Sequence, residues 1–178
     1  YNKLNFEVVP ILKIRRAQEE LNLTDISPLH SVWVNKNAKK LKDDIRLAKQ
    51  FCKANNLYGA ESFINGFSGY VLEIMIVYYG SFEKLLQASQ KWKVKDVLDP
   101  GKYYHNKDAV LFNLNSSKLN SPLIIVDPVD KKRNAAAALS EEKFILFKKL
   151  AKQFLKKSSY SFFEKEQVTF AKLKKETE

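Results

Sequence analysis

The densest polar set in the chain is Asp127-Pro128-Val129-Asp130-Lys131-Lys132-Arg133-Asn134. It follows the apolar run PLIIV, which reads as a buried strand, so a rigid sheet end aims these side chains and a following turn offers free amides. Arg133 presents a fixed fork of donors suited to a base edge or a phosphate, with Asp127 and Asp130 orienting it rather than carrying protons. A capped turn with surface ion pairs explains the same residues. Lys49 and Tyr58 form a second pair, one on the polar side of a helical stretch and the other just past its end. A lysine meets a triphosphate as a flexible point charge, and a tyrosine supplies a hydroxyl or a stacking face. Arg46 is available on the same broad surface. A solvated lysine and a core-edge tyrosine are the plainer account. His30 follows Ser27-Pro28-Leu29, and at a rigid turn its imidazole can donate to a phosphate or hydroxyl; a structural histidine satisfied by backbone is the alternative. Glu7 stands on an opening β pattern, facing the same way as Asn5 and Val9. It can hold a divalent ion or simply be a solvated edge carboxylate, and one acid is not a two-metal site. His105 has no matching ligand cluster.

Several classes of chemistry are excluded by what the sequence lacks. It contains no GxxxxGK[ST], GxGxxG or GxSxG pattern. Gly66, Ser68 and Gly69 do not amount to a phosphate loop, although they can expose the amides at a helix start. The single cysteine, Cys52, rules out an internal disulfide and a thiolate zinc cluster. No apolar run approaches the ~20 residues of a membrane helix, and no leader pattern opens the chain, so a soluble, cytoplasmic protein without membrane contact is expected. The formal net charge of +11 favours a polyanionic partner. Lysines far outnumber arginines, which suits diffuse attraction to phosphates better than base reading.

The elements that must position these residues follow from periodicity. Leu4 to Leu12 reads as a short strand interrupted by Pro10, and residues 13 to 29 read as a solvated loop with a helical turn. From Asp43 a helix begins, capped by Asp43 or Asp44, with Ile45, Ala48, Phe51 and Cys52 as its apolar stripe and Asn56 as its left-handed end. Tyr70 to Tyr79 is apolar nearly all round and predicts a core helix, with a buried strand as the alternative; Gly80 stops it and Ser81 caps the next helix, giving an αα-hairpin. KVKDVLDPGK predicts a short strand ending in a turn, and HNKDAVLFNLNSSKLN a hairpin or loop. Asn134 can cap the AAAAL run, and Ser140 starts a longer helix with Phe144, Phe147, Leu150, Ala151, Phe154 and Leu155 on its apolar face. SSYSFF reads as a strand or docking segment before a charged end. With five glycines and five prolines, the chain is predicted to be a helix-rich α+β fold.

The motifs SPLHSVW, DDIRLAKQFCKANNLYGAES, NGFSGYVLEIMIVYYGSFEKLLQASQKW and VDPVDKKRNAAAALS, in this order, resemble consecutive motifs of the archaeal-type, class I CCA-adding tRNA nucleotidyltransferases. The likeness runs from NFEVVP to about SYSFF. It implies the last strand of a polymerase-β-like catalytic palm followed by a mainly helical central domain. The corresponding boundaries are 1–34 for the palm edge and linker, 35–158 for the central domain, and 159–178 for the start of a tail or a terminal extension.

By the same resemblance, Glu7 matches the third metal-binding carboxylate, usually Asp in the family, and is the expected catalytic and metal residue. His30, Lys49 and Tyr58 match contacts to the phosphates or sugar of the incoming nucleotide, and Arg133 matches the arginine that helps select the base. The FSGY helix start resembles the part that approaches the tRNA acceptor end. The implied activity is addition of CMP and AMP from CTP and ATP to the tRNA 3′ end with Mg2+. The implied partner is an amino-terminal catalytic half, as a separate subunit or as the missing part of the same polypeptide, without which the isolated chain is expected to be inactive. A catalytically inactive RNA-binding or interaction module derived from the family is the competing expectation.

Overall fold

A computed structural model describes residues 8–165. Its architecture is a helix-rich α+β fold in the element order α1 (Ser27–Asn37), α2 (Lys42–Ala54), α3 (Gly69–Tyr79), α4 (Phe82–Ser89), β1 (Asp96–Leu98), α5 (Lys107–Asn113), β2 (Leu123–Ile125) and α6 (Glu141–Lys156). Short 3-10 turns at Ala17–Glu19, Leu23–Ile26, Ser116–Leu119 and Tyr160–Phe163 complete it.

The helix boundaries follow cap chemistry. Ser68, Ser81 and Ser140 each accept a backbone amide with the side chain, from Val71, Lys84 and Lys143 respectively. Each such cap stabilises its helix by about 1 kcal/mol. Gly80 ends α3 at φ 85°, a left-handed conformation that glycine adopts without a Cβ clash. Asn56 takes φ 55° just past α2, as expected. Asp43 and Asp44 do not cap α2, whose N-cap is Leu41. Asp44 instead reaches across and accepts the Phe82 amide at the start of α4, at 2.8 Å. α3 and α4 pack as the expected helical hairpin.

Phe51 of α2 is the hub of the core. The rings of Phe82, Phe147, Phe154, Phe162 and Phe163 lie with centroids 5.6–6.2 Å from it. Four of them meet it edge-on and Phe162 stacks, geometries that add to the burial of the apolar surface. The stripe Ile45, Ala48, Phe51 and Cys52 is buried as the periodicity predicts, and α3 buries Val71, Leu72, Ile74, Met75 and Ile76 against it. Burial pushes the Cys52 thiol far up, so it is an inert core group.

β1 and β2 pair in parallel, Asp96 with Leu123 through Leu98 with Ile125. The connection between them holds α5, where a hairpin or loop was expected. Asn106 caps that helix by accepting from Ala109 N, and Val110 and Leu114 pack on Ile124 and Val126. Parallel strands need such a crossover.

Five further expectations are corrected in whole or in part. Residues 8–12 are not a strand: the Leu12 amide goes to Asp25 Oδ1 at 2.8 Å and Pro10 has no amide to give. His30 lies inside α1, not at a turn, because Pro28 sits at the first helical positions where its missing N–H is harmless. The AAAAL run forms turns, with Asn134 Oδ1 accepting from both Ile125 N and Ala136 N. SSYSFF is the docking segment of its two alternatives and not the strand: a 3-10 turn sets Phe162 and Phe163 against the core, held by Asn55 and Gln50 donating to their carbonyls. Leu155, placed on the apolar face of α6, is exposed.

Candidate nucleotide site

The site is built on the end of β2 and the first turn of α3. Asp127, two residues beyond β2, has a fully buried side chain, and both of its oxygens accept hydrogen bonds. Oδ1 accepts from Tyr70 Oη at 3.0 Å and from Val129 N at 2.9 Å. Oδ2 faces Arg133 Nη1 at 3.0 Å and His30 Nε2 at 3.2 Å. His30 Nε2 also lies 3.2 Å from Arg133 Nη1. That nitrogen either donates to Asp127 or accepts from Arg133; a single imidazole nitrogen does not do both. The His30 ring stacks on Tyr70 with centroids 3.8 Å apart and planes 19° from parallel.

Burial alone would raise the Asp127 carboxyl, but hydrogen bonds from His30 and the Val129 amide, with the charge of Arg133, hold it below its ordinary value. Burial pushes the Tyr70 phenol up, and the neighbouring carboxylate pushes it further, so Tyr70 is a neutral donor. Arg133 keeps its side chain 24% exposed and uses one nitrogen on Asp127, leaving the rest of the fork for a ligand. Asp130 does not touch the Arg133 side chain in this network; its Oδ1 accepts from Lys132 N and its carbonyl from Arg133 N, fixing the turn.

One helical turn along α3, Glu73 accepts from Lys49 Nζ at 2.6 Å. Lys49 and Tyr58 meet at Gly69: a Cβ there would lie 2.7 Å from the Tyr58 hydroxyl and 3.7 Å from Lys49 Cε. Glycine at this position therefore lets both side chains close over the start of the helix. Beside Lys49 a cavity of about 230 Å³ is lined by the cations Lys42, Arg46 and Lys49, the Glu73 carboxylate, Asn35 and three apolar side chains.

Of the residues singled out from sequence, His30 and Arg133 come into contact, and Lys49 and Tyr58 both lie close to Gly69. Glu7 lies outside the described residues. Tyr70 and Glu73, which tie the two groups to one helix, escaped the sequence reading. Their signal was present: Glu73 is the one charged residue in the apolar YVLEIMIVYY segment, and Tyr70 precedes it by three, on the same face.

Among the described residues no group of three or more His, Cys, Asp or Glu could hold a metal ion, and both Asp127 oxygens are engaged by protein donors. The described residues therefore do not fit a magnesium site. No helix among them is long and apolar enough to cross a membrane.

Comparison with known proteins adds the family. Residues 43–164 match the model of the tRNA nucleotidyltransferase second domain. The CCA-adding enzyme of Nanoarchaeum equitans is 46% identical over 146 residues, covering 82% of this chain and 37% of that protein. Those of Pyrobaculum aerophilum and Methanosarcina mazei are 41% and 36% identical, covering 89% and 92% of this chain and 35% and 34% of their own lengths. The chain thus spans about a third of the length of these relatives. It belongs to the archaeal-type CCA-adding tRNA nucleotidyltransferase family, in which it corresponds to the second, central domain.

Proposed function

We propose that this chain is the nucleotide-selecting and RNA-facing part of a CCA-adding tRNA nucleotidyltransferase, transferring CMP and AMP from CTP and ATP to the tRNA 3′ end. The observation that carries this reading is the convergence of His30, Tyr70 and Arg133 on the buried carboxylate of Asp127. A guanidinium oriented from behind by a carboxylate, with donors left over, is suited to the edge of a base. His30, Lys49 and Tyr58 supply the phosphate and sugar contacts. Lys49 would exchange Glu73 for a phosphate, keeping one charge partner throughout.

In the reaction the tRNA 3′-hydroxyl attacks the α-phosphorus and pyrophosphate leaves. The residues of this chain hold the nucleotide for that attack rather than perform it, which is a positioning contribution. Mg2+ belongs with Glu7 and with carboxylates from outside this chain, on an amino-terminal catalytic half that is either a separate subunit or part of the same polypeptide. The boundaries that fit this reading are a palm edge at 1–34, a central domain at 35–158 and a tail region from 159.

Titration of the chain with CTP, ATP and GTP, before and after Arg133→Ala, tests the reading. The substitution is expected to weaken CTP and ATP by about tenfold or more and to erase any preference over GTP. Equal affinities and an equal preference in the variant would defeat it. Reconstitution with the catalytic half, followed by nucleotide addition to a tRNA lacking CCA, tests the activity itself.

A further inference from the structure

Phe63 is 84% exposed, yet its loop is tightly tied. Ile64 N and Asn65 N both donate to Glu61 O, at 2.9 and 2.8 Å, and Asn65 Nδ2 donates to Ser62 O at 2.6 Å. Gly59 and Gly66 lace its two ends together: Gly66 N donates to Gly59 O and Gly59 N to Phe67 O. A Cβ on Gly66 would fall 2.2 Å from the Leu57 carbonyl, so the lacing requires glycine there. Asn65 O in turn accepts from Ser140 N, fixing the loop to the start of α6 and setting Lys143 beside it. An aromatic ring held out in water on a fixed loop gains from any flat partner and loses little freedom on binding it.

Phe63 forms one wall of a cavity of about 550 Å³. The other lining residues are Lys53, Asn56, Tyr58, Ile64, Lys143 and Lys165. The set combines two aromatic rings, three cations and one amide, and contains no carboxylate. Lys53 Nζ stands 4.9 Å over the Tyr58 ring, so that face is already cationic. Two exposed acids stand close by, Glu142 at 3.6 Å from Lys143 Nζ and Glu61, whose Oε2 lies near Ile64 Cδ1 beside Gly59; exposed as they are, both are weak competitors for the lysine charges. The volume falls in the range of small-ligand pockets, enough for a nucleotide unit.

We infer that this cavity binds a single-stranded RNA segment, with a base stacked on Phe63 and backbone phosphates held by Lys53 and Lys143. Exposed aromatic platforms beside lysines recognise unpaired bases without reading sequence, and a duplex hides the base faces such a platform needs. Tyr58 borders both this cavity and Gly69, so a strand lying here runs toward the proposed nucleotide site. Identifying the strand as the tRNA 3′ end rests on the function proposed above; the binding chemistry does not.

The test is fluorescence anisotropy of a labelled single-stranded RNA with the chain, alongside a duplex RNA of equal length. Phe63→Ala is expected to weaken the single strand roughly tenfold and to leave the duplex unchanged. Phe63→Trp is expected to keep or tighten binding. Lys53→Gln and Lys143→Gln should each reduce the slope of log affinity against log salt by about 0.7. Unchanged single-strand affinity in Phe63→Ala, or an equal loss for the duplex, overturns the inference. Equally tight binding of polyglutamate that is equally sensitive to Phe63→Ala would make the cavity a peptide groove and overturn it as well. CTP titration of Phe63→Ala separates the two readings: it reports on the Arg133 site, which this substitution should leave intact.

Discussion

Helices α1 and α3 are the same length, eleven residues, and are held in place in opposite ways. α3 buries five side chains in its middle and closes both ends with Ser68 and Gly80. α1 buries none of its residues, has no side-chain cap, and rests on the body through the half-buried Trp33 and Val34 and through His30. His30 stacks on Tyr70 and borders Asp127, so the contact that docks α1 is also the contact that builds the site. Stability in α3 comes mainly from apolar burial. In α1 the half-buried Trp33 and Val34 are joined by a polar junction at His30 that a ligand would engage directly. Weakly held elements open first, and binding groups are often drawn from them.

The largest expected effect is in α3. Leu72→Ala should cost about 3–5 kcal/mol in urea unfolding, with α1 and α3 lost together. Loss of α1 alone would break the distinction drawn between the two helices. Asp127→Asn should cost about 3 kcal/mol near neutral pH, since it removes the buried charge on which Tyr70, the Val129 amide, Arg133 and His30 converge. Its pH dependence has a definite sign. The folded Asp127 carboxyl is held below its ordinary value of 3.8, so its stabilisation is complete above that pH and is lost as pH falls through the lower, folded value. The gap in stability between the native chain and Asp127→Asn should therefore close at acid pH; a constant gap would show that the charge is not what matters.

Tyr70→Phe keeps the ring and removes only the hydroxyl. It should cost about 1 kcal/mol, and amide exchange should rise in α1 while α3 stays protected. Equal protection in both helices would show that the stack alone docks α1. The smallest effect is expected at the exposed Val32, where Val32→Ser should change stability by less than about 0.5 kcal/mol.

Legibility from sequence divided along the same line. α2, α3, α4 and α6 were readable because caps and apolar spacing are local signals, and Ser81, Gly80 and Ser140 act where they stand. α1 was not, because SPLHSVWVNKN carries no apolar stripe and opens on a proline that reads equally well as a turn. α5 is not legible because its four apolar residues form one unbroken run, too short to show a helical period, between polar flanks that resemble a loop, although Asn106 is a sound cap. The site followed a different rule. Arg133 and Asp127 are neighbours in sequence and could be paired on sight, whereas His30 and Tyr70 reach them only through the fold. The β pattern at 4–12 failed in its described part because a strand needs a partner, which no local pattern supplies.

Asp44, which lends its carboxylate to the first amide of α4, has a consequence for how the molecule comes apart. An eight-residue helix does not persist alone in water, and this one draws part of its N-terminal closure from another helix. α4 therefore has no independent melting point. The helices around Phe51 should unfold as one thermodynamic unit, so that calorimetric and spectroscopic transitions coincide.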